Sequence, residues 1–98
     1  MKYQDDHLFL DKDEVKLLSL VTMNNVEASY PAVKFIQGLN EIQAEAEAHI
    51  QQVALQQTAE SRRSLQIDIL KQLIGTCEKF KGRAYASAQN AGCSIQLH

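Results

Sequence analysis

Apolar residues between Pro31 and Gln89 fall into two helical stripes with a gap between them, and that gap limits how the chain can fold. Phe35, Leu39, Ile42, Ala46, His49 and Val53 recur in steps of four and three, the spacing that keeps side chains on one side of an α-helix. Leu70, Leu73, Cys77, Phe80 and Ala84 do the same, widened by Ile74. Between Leu55 and Leu65 only Ala59 is apolar, so a continuous helix would have nothing to bury for more than two turns. A single rod of about 59 residues would run to roughly 88 Å, whereas ordinary globular helices average about 11–12 residues. The spacing therefore predicts two helices, over 31–57 and 62–89, folded back on each other about a turn at Thr58 to Ser61. The Thr58 and Ser61 hydroxyls are suited to accept from unpaired amides at the start of the second helix.

A shorter helix precedes them. Asp11 with Glu14 three residues later is a capping-box pair, and Leu10 and Val15 are placed to close over the first turn. This predicts a helix over 12–23 that carries Val15, Leu17, Leu18, Leu20, Val21 and Met23, an apolar face broad enough to be covered on more than one side. Asn24 and Asn25 should end it, since Asn takes the left-handed conformation more readily than most residues. Pro31 suits the first position of the next helix, with Tyr30 or Ser29 as its N-cap. Gly38 lies about two turns inside that helix and costs about 1 kcal/mol relative to Ala, which predicts a close backbone approach or a locally weak helix. Residues 1–10 and 90–98 read as tails, with His7 to Leu10 too short an apolar run to assign as a strand.

One Pro and four Gly are too few for a many-stranded sheet, and three Tyr, three Phe and no Trp in a 45% hydrophobic chain suit a helical protein rich in small residues. The expected fold is all-α: one domain with a short N-terminal helix and a long antiparallel helical hairpin. Helix one is too short to cover the hairpin seam, so a second copy or a helical partner is expected to complete a bundle. The seam residues are Phe35, Leu39, Ile42, Val53, Leu70, Leu73, Ile74 and Phe80.

Charge is uneven within the net −2: residues 1–50 carry −5 and residues 51–98 carry +3. One reading is internal pairing, with Glu47 near Lys71 and Glu41 near Lys79 across an antiparallel hairpin. The other is that Arg62, Arg63, Lys71, Lys79, Lys81 and Arg83 contact nucleic-acid phosphate. The acidic balance and the absence of a helix-turn-helix, zinc-finger or basic-zipper pattern weigh against phosphate binding.

Specific chemistry finds little support. Glu41, Glu45 and His49 share a ridge, but Glu-x-x-x-His differs from the Glu-x-x-His of helical di-metal sites, and the second long helix supplies no His. Cys77 lacks a His in register to activate it, because His49 falls opposite Leu70. The glycines match no nucleotide-binding fingerprint. No catalysis, metal, cofactor or small-molecule substrate is expected. The polar face of helix two is acidic and rich in Gln, unlike a lipid-binding helix, and no apolar run of about 18 residues occurs. The N-terminus lacks a signal-peptide pattern, which together with cysteines expected to stay reduced suggests the cytoplasm. The resulting expectation is a protein-interaction module that works through the hairpin seam.

Overall fold

The computed structural model describes residues 1–97. It holds β1 (Lys2–Gln4), β2 (His7–Phe9), α1 (Lys12–Thr22), β3 (Ser29–Pro31), α2 (Ala32–Ala54) and α3 (Glu60–Asn90), with α2 and α3 packed as a hairpin. The chain is mostly helical, and the all-α expectation needs one correction. Residues 1–10 do not form a tail, because β1 and β2 pair there and β3 adds to them in an antiparallel sheet of order β1-β2-β3.

The sheet is small because each strand turns one large side chain inward. Leu8 lies between Tyr3 on β1 and Tyr30 on β3, and it is fully buried. Asp5 and Asp6 form the connecting turn with φ of 52° and 61°, the two positive values that a two-residue type I′ hairpin requires. The Tyr3 hydroxyl donates to Asp6 Oδ1 at 2.7 Å, and this bond pushes the phenol up to about 12. Across the sheet, the Ala32 amide donates to the Asp6 carbonyl and the Leu10 amide to that of Ala28, which ties the hairpin to the start of α2.

The capping box of α1 is present: Asp11 Oδ1 accepts from the Glu14 amide at 2.8 Å, and Glu14 Oε1 accepts from the Asp11 amide at 3.0 Å. The left-handed residue that ends α1 is Met23 (φ 57°), not Asn24 or Asn25. Pro31 ends β3 opposite His7 and serves as the N-cap of α2, so neither Tyr30 nor Ser29 does. Its ψ of 131° is extended, and a proline is tolerated there because β3 is an edge strand.

At the far end α2 stops at Ala54 rather than at residue 57. The Leu55 and Gln56 amides donate three residues back, to Gln52 and Val53, which tightens the last turn. α3 then begins at Glu60 behind Ala59, without a hydroxyl cap from Thr58 or Ser61. Arg63 closes this loop by donating to the Gln56 carbonyl at 3.2 Å. At the other end Gly92 (φ 75°) completes a Schellman motif, with Cys93 N donating to the Ala88 carbonyl and Gly92 N to that of Gln89. Of the expected tail 90–98, Asn90 belongs to α3, Ile95 packs against the core, and the last residue lies outside the described residues.

The core gathers at one end of the hairpin. Leu8, Leu10, Leu18, Phe35, Ile36, Leu39, Cys77 and Phe80 form one buried cluster with Ala32 and Ala84, joining the sheet and α1 to the facing halves of α2 and α3. Beyond Ala46 toward the hairpin tip, Val53 is the one fully buried side chain of α2. At about 1.5 Å per residue α1 is roughly 16 Å long, against about 34 Å for α2 and 46 Å for α3. α1 therefore lies over only the lower part of the seam.

Candidate interaction surface

The seam residues expected from the sequence divide into two groups. Phe35, Leu39, Val53 and Phe80 are buried within the chain, so they hold the hairpin together and are not available to a partner. Ile42, Leu70, Leu73 and Ile74 are half-buried. The most exposed large apolar residues lie elsewhere: Met23 (89% exposed) and Leu20 at the end of α1, and Leu55 (85%), Leu65 (61%) and Ile69 (57%) near the hairpin tip.

Helical spacing relates the tip residues to the seam. Along α3, Ser87, Arg83, Phe80, Thr76, Leu73, Ile69 and Leu65 follow one another in steps of four and three and so form a single ridge. At its C-terminal end this ridge meets the N-terminal segment. Ser87 Oγ donates to the Met1 carbonyl at 3.2 Å, Arg83 donates to Glu14 Oε2 at 3.4 Å, and Phe80 is fully buried. The end of α1 lies over a gap lined by Thr22, Asn24, Ala46, His49, Leu70 and Leu73. Past that point the ridge continues without cover through Ile69 and Leu65. Which flank of α3 the short helix α1 covers is a tertiary fact, so helical spacing alone gives no reason to single out Leu65 and Ile69.

The expected charge zipper between α2 and α3 does not form. Among the described residues the two ion pairs both end on Glu14, one from the Met1 ammonium at 2.8 Å and one from Arg83 at 3.4 Å. The hairpin is bridged instead by single polar bonds: Gln43 Nε2 donates to Glu78 Oε1 at 3.2 Å, and Lys81 Nζ donates to Asn40 Oδ1 at 2.9 Å. These fix an antiparallel register close to the expected one. Glu41, Glu45 and Glu47 are left exposed and unpaired on α2, as are Arg62, Lys71 and Lys79 on α3.

The six basic residues of α3 do not share a face. At about 100° per residue, Lys71, Lys79 and Lys81 point in three different directions. Lys81 is engaged with Asn40, and Arg83 with Glu14 and the Phe80 ring, 5.2 Å from its centroid. A phosphate backbone would meet only part of the set.

A second feature lies between α1, the linker after it and α2. Leu18, Val26, Tyr30, Phe35, Leu39 and Ile42 line an apolar pocket of about 220 Å³. Gly38 lines the same space. A Cβ built there would meet nothing within 4 Å, so of the two alternatives read from the sequence the close backbone approach is not what Gly38 serves.

The two cysteines are free, one buried and one exposed. Burial pushes the Cys77 thiol up, away from the reactive thiolate, and Cys93 is exposed in the C-terminal segment. Among the described residues no group of three or more His, Cys, Asp or Glu is placed to hold a metal ion, and no helix is long and apolar enough to cross a membrane. Comparison with protein-family models, curated proteins and solved structures finds no match to this chain.

Proposed function

We propose that the chain is a small cytoplasmic protein-interaction module whose working surface is the apolar ridge at the hairpin tip, and that the partner it fits is a second copy of itself. One observation carries the reading: Ile69 and Leu65 continue the ridge that α1 covers further along, yet they stand 57% and 61% exposed. Covering such residues removes apolar area from water at about 25 cal/mol per Å², the most accessible source of further stability for a thin-cored domain. Charge favours a second copy. Among the described residues Glu41, Glu45 and Glu47 on α2 and Arg62 and Lys71 on α3 have no ion-pair partner, and an antiparallel second hairpin would set one group against the other. The two hairpins would then form a four-helix bundle with coiled-coil-like packing.

Light scattering at micromolar concentration tests this. The expected mass is that of two chains, falling to one chain in Leu65→Asp and in Ile69→Asp while helical circular dichroism is retained. A single-chain mass for the unaltered protein across the micromolar range rules out the second copy.

A further inference from the structure

We propose that the pocket between α1 and α2 is a binding site for a small organic monocarboxylate with an apolar body about the size of one ring. This site is on a different surface from the hairpin tip, so it stands or falls independently of the interaction reading. Three observations carry it. Val26, Phe35, Leu39 and Ile42 give the pocket apolar walls, and its volume is about 220 Å³. An apolar cavity of about 150 Å³ is already enough to take benzene, so this one has room for a ring with a short substituent.

The second observation is Gly38. It lies inside α2, where glycine weakens a helix, and no neighbour requires it because a Cβ at that position would meet nothing within 4 Å. What the missing side chain does provide is space, since Gly38 lines the pocket. An alanine or larger residue would strengthen the helix and fill part of the site.

The third is charge. Lys34 lies one turn before Gly38, lines the same pocket and has no acidic partner among the described residues. Among the described residues no Asp or Glu lines the pocket. Among the described residues the formal charge at its edge is therefore positive and free to meet a carboxylate, while the side-chain amides of Asn24 and Asn25 beside it add neutral donors. An apolar body in the pocket with its acid group toward Lys34 satisfies both parts of the lining.

Phenylacetate and its uncharged analogue phenylacetamide are suitable probes, with amide chemical shifts of the full chain as the readout. The expected result is a saturable shift centred on the amides of Gly38 and Val26, with a Kd for phenylacetate on the order of 0.1–1 mM and a several-fold weaker Kd for the amide. Gly38→Leu should abolish the shift without lowering Tm. Lys34→Gln, at an exposed position, should leave the fold intact and remove the preference for acid over amide. The proposal is overturned if phenylacetate gives no saturable shift at about 10 mM. It is equally overturned if Gly38→Leu binds as before, or if the same amides shift on diluting the protein alone, which would place a second copy in the pocket.

Discussion

Arg83 of α3 donates to the Glu14 carboxylate of α1 at 3.4 Å, although the two residues are 69 positions apart in the chain. Glu14 is only 5% exposed and also takes the Met1 ammonium and caps its own helix, so one carboxylate joins the N-terminal strand, α1 and α3. Glu14→Gln keeps the shape and removes the charge, leaving a buried ammonium without its counter-ion. The expected loss is about 2–4 kcal/mol in urea unfolding. A loss below about 0.5 kcal/mol, the range of ordinary surface substitutions, would show that the junction is held by apolar contacts instead.

Phe80 and Leu65 lie on the same ridge but should respond in opposite ways. Phe80 is fully buried, so Phe80→Ala should cost about 3–5 kcal/mol of stability, and Phe80→Asp should unfold the chain. Leu65→Asp should change monomer stability by no more than about 0.5 kcal/mol. Denaturation midpoints of the two variants at equal concentration, below any association, separate core from surface.

Met23 adopts φ 57° with its side chain in solvent, a conformation unfavourable for a residue with a Cβ. Met23→Gly should raise stability by about 1 kcal/mol, seen as a higher Tm. An unchanged or lower Tm would mean that the methionine side chain makes a contact worth as much as the strain it carries.

Two groups link the stability of the N-terminal unit to pH. The Tyr3 phenol is raised to about 12 by its bond to Asp6, so the folded state favours the protonated form. That contribution is complete below the ordinary value of 10.0 and is lost as pH rises toward about 12. Asp11 is shifted the other way, chiefly because its carboxylate accepts from the Glu14 amide. Its contribution is present above the ordinary value of 3.8 and is lost as pH falls through its lowered folded-state value. Absorbance titration should show a tyrosine ionising near 12, and Asp6→Ala should remove that high-pH step.

The helices were legible in the sequence because their signals extend over many residues or involve two agreeing groups. The stripes of α2 and α3 repeat over several turns, and the Asp11–Glu14 capping box specifies both the start of α1 and its first bonds. The sheet left no comparable trace. With one inward side chain per strand there is no alternation to detect, and an Asp-Asp turn lacks the glycine that usually announces a tight hairpin. The ion pairs expected between α2 and α3 failed for a different reason. Long exposed side chains gain little from pairing in water, so spacing alone does not decide whether they meet. The exposed ridge at Leu65 and Ile69 depends on where α1 stops and which flank it covers, and both are tertiary facts.

Because the core gathers around Leu8, Phe35 and Phe80 at one end, the two ends of the molecule should open at different free energies. Amides of Ile36 and Phe80 should exchange with solvent only on global unfolding, whereas those near Val53 and Ile67 should exchange through local fraying of the hairpin tip. The surface proposed to bind a partner lies on that less stable end. Binding there would slow exchange well beyond the contact itself, because it would oppose local opening of the tip as well as cover the contact.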